Sequence, residues 1–292
     1  MSNNNTSDNN NKLLLRKPQW LKVKLTDVEE YYYLKSKLTA SNLHTICESA
    51  NCPNQAECWK THTATFLILG NACSRNCKFC NVTNAKTLPP DPEEPAHIAS
   101  IIKQLNLKHV VITSVTRDDL PDGGANHWAD VIYEIRKNCP LVTIETLIPD
   151  FQLNTNNLNI IIKAKPNIVS HNLETVRRIT PLVRNRANYD TSLKVLEFLA
   201  ENKMKTKTGI MVGLGETDDE IYETMDDIIN TGCKIITIGQ YLQPSIKHYP
   251  IHRFVTPDTF DLYQKVAIDK GFIFVESSPL VRSSYHADKY TG

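Results

Sequence analysis

Apolar and polar positions along this chain alternate in blocks that are typical of strands and helices in turn. Six short runs rich in apolar and β-branched residues predict strands, and helical patterns lie between them. Because several of the strands are nearly continuous apolar runs, the pattern predicts a parallel sheet covered by helices. The predicted strands are 65–69, 109–114, 142–147, 167–171, 206–212 and 235–240, and the predicted helices are 94–105, 127–138, 155–163, 190–202 and 218–230.

The number of strand–helix units decides the predicted architecture. Six units fit between residues 61 and 256, followed by a helix near 257–270 and a short strand at 272–276. This is too few for a closed eight-unit barrel, which takes about 250 residues. We therefore predict the α/β class, with a doubly wound sheet as the alternative that periodicity does not separate. The predicted organisation is a partial (β/α)6 TIM-like barrel over 61–275, with an N-terminal cluster-binding extension over 1–60 and a C-terminal tail over 276–292.

Composition narrows the function classes without naming one. Hydrophobic residues make up 41% and charged residues 22% of the chain, and the net charge is +1. With no basic excess or basic stripe, nucleic-acid binding is disfavoured, and no apolar run reaches the roughly 18 residues that span a membrane. The Asn-rich start, residues 1–12, is predicted to be disordered, and a capping box of Thr26 and Glu29 predicts a helix over 26–37. Because no secretory signal precedes the eight cysteines, we expect reduced thiols and a cytoplasmic protein.

Six of the cysteines form two groups of three. Cys73, Cys77 and Cys80 have the spacing C-x3-C-x2-C directly after the first predicted strand. Three thiolates in a short loop can hold three corners of a four-iron cluster and leave one iron open to an external ligand. Structural zinc normally has four protein ligands, so two groups of three suit zinc poorly unless His44 or His62 completes a site. The spacing favours two incomplete iron–sulfur sites, and the second group, with the spacing C-x4-C-x5-C, consists of Cys47, Cys52 and Cys58.

Polar and glycine-rich segments follow several predicted strands, where such folds bind ligands. Segment 113–125, TSVTRDDLPDGGA, ends in two glycines that let the backbone approach a ligand, although a surface turn is the alternative. Segment 209–216, GIMVGLGE, lacks the Lys-Ser/Thr of a P-loop. His171 and Asn172 end the fourth strand, and Arg184 and Arg186 follow it and could hold a carboxylate.

Three further features are ambiguous on sequence alone. Cys139 and Cys233 stand apart from the two groups, and we predict that they are buried structural thiols. The chain closes with a polar cluster that is either solvated surface or the source of the ligand that the Cys47 group lacks; it comprises Ser283, Ser284, Tyr285 and His286.

Together these motifs closely resemble the lipoyl synthase family of the radical S-adenosylmethionine (SAM) superfamily. The resemblance covers about residues 43–287 and rests on CESANCPNQAEC, CSRNCKFC, TSVTRDDLPDGGA, IETLIPDF, HNLET, VGLGE and RSSYHA. It implies that Cys73, Cys77 and Cys80 hold a [4Fe-4S] cluster that binds and cleaves SAM. It also implies that Cys47, Cys52 and Cys58 hold an auxiliary [4Fe-4S] cluster. The fourth ligand of that cluster is a serine of the RSSY motif, which by position is Ser284 rather than Ser283.

The resemblance also implies a set of SAM-contacting residues. Gly209 opens a G-x-I-x-G-x-x-E pattern on the adenine side, with Met211 at the place of Ile. Gly123 and Gly124 resemble a Gly-Gly-Glu motif in which Ala125 stands where the family has Glu, so that carboxylate contact is not carried over. The full set of predicted cofactor-binding residues is Phe79, Gly123, Gly124, Asn172, Arg184, Met211, Gly213 and Glu216.

The implied activity is radical sulfur insertion. The resemblance implies that an electron delivered to the Cys73 cluster cleaves SAM to methionine and a 5′-deoxyadenosyl radical. That radical abstracts hydrogen in turn from C6 and C8 of an octanoyl chain on a carrier lysine. Sulfide from the auxiliary cluster enters at each carbon. The implied partners are octanoylated lipoyl carrier domains (2-oxoacid dehydrogenase E2 subunits and glycine cleavage H protein), a reduced ferredoxin or flavodoxin, and iron–sulfur cluster delivery proteins. Neither nucleic acid nor a membrane is expected.

Three other interpretations explain part of the pattern. A tRNA methylthiotransferase also carries two clusters but is expected to add a basic RNA-binding module. Biotin synthase has similar chemistry and should lack the N-terminal C-x4-C-x5-C group. A zinc-binding interaction protein would explain the cysteines without catalysis and would leave the glycine loops at the strand ends unexplained.

Overall fold

The computed structural model describes residues 16–22, 36, 44–46, 52, 54–55, 58 and 63–285. Several predictions lie outside the described residues. They concern the disordered start, Cys47, His286 and the helix over 26–37, of which only Ser36 is described. Within the described residues the architecture is a large sheet with helices packed against it.

Ten strands form an eight-stranded sheet and a separate two-stranded pair in the part of the chain that the structure describes. In chain order the strands are β1 (His44–Thr45), β2 (Thr63–Ile68), β3 (Ala72–Cys73), β4 (Thr83–Asn84), β5 (His109–Ser114), β6 (Thr143–Leu147), β7 (Ile168–Ser170), β8 (Thr206–Val212), β9 (Ile235–Gln240) and β10 (Phe274–Ser278). The large sheet has the order β1-β2-β5-β6-β7-β8-β9-β10, and β3 pairs with β4. In the large sheet every neighbouring pair from β2 to β10 is parallel. The carboxyl ends of these strands therefore all lie along one edge of the barrel wall.

The helices alternate with the parallel strands. They are α1 (Glu94–Gln104), α2 (Ala125–Asn138), α3 (Thr155–Ala164), α4 (Thr180–Val183), α5 (Tyr189–Glu201), α6 (Asp218–Asn230) and α7 (Pro257–Asp269). Short 3-10 turns cover Gln19–Leu21 and Phe151–Leu153. Local sequence explains several helix starts: the Asn154 side chain accepts from the first amides of α3, and Thr217 forms a capping box with Glu220 at the start of α6.

The predicted pattern of elements is confirmed. Each of the six predicted strands and five predicted helices is present within two residues of its predicted bounds, and the closing helix and strand are present as α7 and β10. Within the large sheet, each parallel strand lies beside the next strand of that sheet along the chain, as in a barrel wall. A doubly wound sheet instead reverses its strand order. The sheet is open between β1 and β10, which agrees with a partial barrel.

Helices cover the outer face of this wall through two apolar clusters. One cluster joins β2 and β5 to α1 and α2, with Trp128 fully buried at its centre. The other joins β8 and β9 to α6 and α7 around residues such as Phe260. A third, small cluster brings together Val111, Ile168 and Ile235 from the alternate strands β5, β7 and β9. None of the described helices combines the length and apolar character that a bilayer crossing requires.

A charged pair is buried in the same wall. Lys207 Nζ on β8 donates to Glu145 Oε1 and Oε2 on β6 at 3.0 and 3.1 Å, and both side chains are 1% exposed. Ser170, on the strand between them, donates to Glu145 Oε1 at 2.7 Å. The pair therefore links three adjacent parallel strands. An isolated charge in such a place is strongly unfavourable, so each partner depends on the other.

We expect Lys207→Met to lower the free energy of unfolding by about 3–5 kcal/mol, because it leaves the Glu145 carboxylate buried without its cation. The double variant Lys207→Met/Glu145→Leu should recover most of that loss. Urea unfolding followed by circular dichroism measures both. The control is Lys137→Met, since Lys137 is 73% exposed and pairs with Glu134 on the surface. A single variant as stable as the control would show that the pair does not hold the three strands.

Candidate active site

The Cys73–Cys80 loop follows β2 and lies at the edge where the parallel strands end. Cys73 is in β3, and its Sγ accepts from the backbone amides of Arg75 and Thr116 at 3.4 and 3.3 Å. Cys80 Sγ accepts from the amide of Val82 at 3.5 Å. Amide donors of this kind favour the thiolate over the thiol. Two of the three predicted ligand sulfurs are therefore already oriented by the backbone.

The thiols of this loop are partly shielded from water. Burial raises the pKa of Cys77 to about 11, against the opposing effect of Arg184, and raises the pKa of Cys80 to about 12. Such thiols stay protonated at neutral pH until a cation supplies the missing charge, which iron does on binding. Three thiols from one loop, with amide support and little water, fit a cluster that is bound by three cysteines.

These thiols are not arranged around a single metal ion. Among the residues that the structure describes, no group of three or more His, Cys, Asp or Glu side chains could hold one. In a four-iron cluster each thiolate binds a different iron, so the sulfurs stand further apart than in a mononuclear site.

Three strand-end segments anchor the loop. Ser74 Oγ donates to the carbonyl of Thr116, which follows β5, at 2.9 Å. The amide of Lys78 donates to the carbonyl of Val183, at the end of α4, and the Lys78 carbonyl accepts from the amide of Tyr249; both distances are 2.8 Å. His248 Nε2 lies 3.1 Å from the Cys80 carbonyl oxygen. The loop is thus tied to segments that follow β5, β7 and β9.

Arg75 is the site residue that the sequence analysis missed. Its Nε and Nη2 donate to Asp118 at 2.7 and 2.9 Å, and its Nη1 and Nη2 donate to Asp150 at 2.7 and 2.8 Å. Burial alone would lower the pKa of Arg75, but the hydrogen bonds to Asp150 and Asp118 raise it well above its usual value. Burial alone would raise the pKa of Asp150, but the hydrogen bonds and charge of Arg75 lower it to about 2. The sequence did contain a signal for this contact, because an aspartate follows shortly after each of the neighbouring strands β5 and β6.

The other charges of segment 113–125 are also used within the protein. Arg117, which is 2% exposed, donates to Asp119 at 2.8 Å and to the carbonyl of Leu69 at 3.3 Å. The Asp122 carboxylate accepts from the amide of Gly124 at 2.9 Å. These contacts, rather than a ligand, account for the acidic residues of the segment.

The two glycines of this segment are required by packing. Gly123 and Gly124 have φ of 60° and 87°, the left-handed region. A Cβ at Gly123 would lie 2.9 Å from the Phe151 ring, and one at Gly124 would lie 2.5 Å from the Leu69 side chain. The pair lets α2 begin directly against the entry to the cysteine loop. Its predicted contact with SAM stays a prediction.

The predicted residues after β7 come together near Cys77. Asn172 Nδ2 donates to Glu174 at 3.3 Å, and its Oδ1 is buried with no hydrogen-bond partner among the described residues. Arg184 is 7% exposed and donates to the Leu173 carbonyl at 3.2 Å. Burial raises the pKa of Glu174, with Arg184 opposing it. Asn172 Oδ1 is thus an acceptor without a donor, and an amine or hydroxyl of a bound ligand would supply one.

His171 is structural rather than a ligand. Its Nδ1 lies 3.0 Å from the Ile148 carbonyl and its Nε2 lies 3.0 Å from Ser192 Oγ. Burial lowers its pKa to about 4, so the ring is neutral at physiological pH. Cys139 and Cys233 are 9% and 0% exposed, which confirms their prediction as buried thiols.

The GIMVGLGE segment forms a closed loop after β8. Glu216, 5% exposed, accepts from the amides of Gly213 and Leu214 at 2.6 and 2.8 Å. A Cβ at Gly213 would lie 2.2 Å from Gln240 Nε2. Glu216 therefore shapes the loop through its own backbone, and Met211 and Phe79 pack against the apolar cluster of β8 and β9. The carboxylate is thus paired with amides of its own loop, and the predicted contacts of Met211, Gly213 and Glu216 with SAM stay predictions.

The second cysteine group meets the C-terminal tail. Asn54, between Cys52 and Cys58, donates to the Leu280 carbonyl at 2.6 Å, and its own carbonyl accepts from the Cys58 amide at 3.0 Å. Burial raises the pKa of Cys52, opposed by the Asn54 amide and by the charge of Arg282. The two segments that contain the predicted ligands are therefore in contact, although Asn54 and Leu280 are 226 residues apart in the chain.

The tail turns at the predicted serines. The Tyr285 amide donates to the Arg282 carbonyl at 2.9 Å, so Ser283 and Ser284 lie within a turn, and both are partly exposed. Arg282 in turn donates to the Gln240 carbonyl at 3.4 Å, at the end of β9. The turn is held between the Cys52 segment and the edge of the sheet.

Comparisons with known proteins agree on one family. The Radical SAM superfamily matches residues 67–228, and the N-terminal domain of lipoyl synthase matches residues 2–52. A lipoyl synthase of Parabacteroides distasonis is 54% identical over 94% of this chain and 98% of its own length. Those of Treponema denticola and Porphyromonas gingivalis are 54% and 52% identical over 94% of this chain, covering 95% and 98% of the relatives.

Solved structures share the fold at low sequence identity. SuiB of Streptococcus suis bound to S-adenosylmethionine superposes with a TM-score of 0.59 and 13% identity; the match covers 78% of this chain but only 54% of SuiB. Methylornithine synthase gives a TM-score of 0.55 and 11% identity over 90% of this chain and 84% of that one. These similarities show the fold alone. With identity above one half over nearly the whole length of its relatives, this chain belongs to the lipoyl synthase family of the radical SAM superfamily.

Proposed function

We propose that this chain inserts two sulfur atoms, at C6 and C8, into an octanoyl group on a carrier-protein lysine and so forms lipoyl-lysine. The observation that carries the proposal is the meeting of the second cysteine segment with the C-terminal tail, through Asn54 and Leu280. A radical SAM enzyme that only cleaves SAM needs one cluster loop. A second cysteine group that recruits a tail ligand supports a second cluster with a separate task, which here is the supply of sulfur.

The chain's own residues contribute binding, orientation and exclusion of water. Cys73, Cys77 and Cys80 would hold the cluster that, with SAM, supplies a radical able to take hydrogen from unactivated carbon. The amides of Arg75, Thr116 and Val82 donate to the sulfurs of Cys73 and Cys80. Asn172 Oδ1, which has no partner among the described residues, would accept a hydrogen bond from SAM, and Arg184 places a buried positive charge beside Cys77. Burial of the loop keeps water from a reactive species.

The auxiliary cluster is a sulfur substrate as much as a bound group. Cys47, Cys52, Cys58 and Ser284 would ligate it. A serine oxygen is a hard ligand on soft iron and so is released more easily than a thiolate. The remaining SAM contacts of the proposal are those of the family pattern: Phe79, Gly123, Gly124, Met211, Gly213 and the loop shaped by Glu216.

The proposed partners follow from this reaction. They are octanoylated carrier domains of 2-oxoacid dehydrogenase E2 subunits and of glycine cleavage H protein, a reduced ferredoxin or flavodoxin, and proteins that rebuild the auxiliary cluster. We propose the cytoplasm as the location, and the division into a cluster-binding extension over 1–60, a barrel over 61–275 and a tail over 276–292.

The direct test is an assay with SAM, a reductant and an octanoylated carrier domain, read by mass spectrometry of the modified lysine. Two sulfur atoms per octanoyl chain support the proposal. SAM cleavage with no change of the carrier, but with sulfur insertion into transfer RNA or into the biotin precursor, would replace it with one of the related activities.

Metal content gives an independent prediction. Protein purified without oxygen should hold about eight irons with matching sulfide, and the triple variant of Cys73, Cys77 and Cys80 to Ala about four. Cys139→Ala is the control, because Cys139 is buried away from both cysteine groups and its loss should leave about eight. Zinc without sulfide in the wild-type protein would contradict the radical chemistry altogether.

The tail ligand gives another prediction. Ser284→Cys should retain both clusters but slow sulfur insertion by about tenfold or more, since a thiolate is not readily released from iron. Ser283→Cys, one residue away in the same turn, should keep near-normal turnover. Iron analysis and single-turnover product formation measure the two effects. Unchanged turnover of the Ser284 variant would remove this serine from the mechanism.

A further inference from the structure

Arg75 is a buried residue of the cysteine loop that the proposed chemistry does not itself use. It lies between Cys73 and Cys77, and its side chain is 5% exposed. Four hydrogen bonds, two to Asp118 and two to Asp150, hold its guanidinium from two sides. The Asp118 and Asp150 side chains are 13% and 2% exposed. A charge-assisted, two-sided contact of this kind fixes direction as well as distance.

We propose that Arg75 is a positioning residue: clamped by Asp118 and Asp150, it sets the orientation of Cys73 and Cys77 relative to the strand ends. It acts through the backbone, because the Arg75 amide donates to Cys73 Sγ at 3.4 Å. Through these thiols it would orient the group that the three cysteines hold. The inference rests on the proposed function only for the nature of the group that the three cysteines hold.

The clamp joins the loop to the segments that follow β5 and β6. Asp118 lies in the segment after β5, and its amide donates to Ser74 Oγ at 3.0 Å. Asp150 lies after β6, and its carboxylate also accepts from the Gln152 amide at 2.9 Å. The orientation of the cysteine loop is therefore coupled to both of the neighbouring strand ends.

The segment that Asp150 holds has an unusual backbone. Phe151, Gln152 and Leu153 have φ of 43°, 53° and 58°, left-handed values that side chains other than glycine seldom adopt. The Phe151 ring occupies the space that a Cβ at Gly123 would need. Asp118, Phe151 and Gln152 line an open cavity of about 260 Å³. Strain of this kind persists only where the surroundings hold it, and the Asp150–Arg75 contact is part of that support.

Only arginine matches this arrangement. Its planar fork offers donors in fixed directions, so it can bind two carboxylates at once, whereas the lysine ammonium is a point charge on a flexible stem. Arg75→Lys keeps the charge and loses the geometry, which separates positioning from charge neutralisation. The chain provides a matched control in Arg177, which also pairs with two carboxylates, those of Asp190 and Asp227, but is 51% exposed.

The experiment compares Arg75→Lys with Arg177→Lys in the full-length protein. In the cluster-free protein, hydrogen exchange of the peptide covering residues 71–80 should be about tenfold faster in the Arg75 variant than in the control. In the reconstituted protein, the reduced cluster is titrated with SAM by electron paramagnetic resonance. We expect SAM affinity per loaded cluster to fall about tenfold in the Arg75 variant and to stay unchanged in the control.

The outcomes separate the possible roles. Faster exchange together with weaker SAM binding supports positioning. Unchanged exchange and SAM affinity would overturn it, and so would lower iron content with normal SAM affinity in the loaded fraction, since that is a stability effect alone. If Arg75→Lys does not fold, Asp150→Asn tests the same contact, because it keeps an acceptor for the Gln152 amide and loses the charge. None of these measurements uses an octanoylated carrier, so failure of the carrier assay bears on the proposed function and not on the clamp.

Discussion

Arg75 brings a positive charge into the cysteine loop, where its side chain has little contact with water, and two carboxylates from different strand ends pair with it. Removing Arg75 would leave both carboxylates without their cation in a poorly solvated place. The loop after β2, the segment after β5 and the segment after β6 are consequently bound to one another. The apolar core positions the strands, and this contact joins the loops that follow three of them.

Many polar groups at the rest of the barrel edge are likewise paired within the protein, either in their own loop or with a neighbouring one. Glu216 accepts from its own backbone, Arg117 pairs with Asp119, and His248 contacts the Cys80 carbonyl. Asn172 Oδ1 is one of several buried polar atoms that have no partner among the described residues. A site whose own groups are already paired has little to rearrange when a ligand arrives, which favours precise placement of a reacting atom.

Most of the fold could be predicted from sequence because the apolar periodicity of each element is local. The six strands and five helices needed only the pattern of their own residues, and the strand count alone limited the architecture to an open sheet. The same holds for the candidate ligands. Spacing within CSRNCKFC is a property of ten consecutive residues, and the resemblance to a family extended it to residues far apart in the chain.

Other features depended on contacts between distant residues. The role of Arg75 required Asp118 and Asp150, which lie 43 and 75 residues away. The short strands β1, β3 and β4 have too few residues to show an apolar periodicity. The partners of Asp119 and Asp122 in segment 113–125 are likewise a side chain and an amide of the protein itself, which the sequence alone did not indicate.

The sequence by itself determined the class of the fold, the order of its elements and the cysteines that are candidate ligands, because periodicity and spacing act over a few residues. Only the tertiary structure decided which charges neutralise one another and which loops meet. It brought Leu280 to Asn54 and Asp150 to Arg75. Such pairings depend on how parallel strands align their carboxyl ends, and no single segment of the chain contains that information.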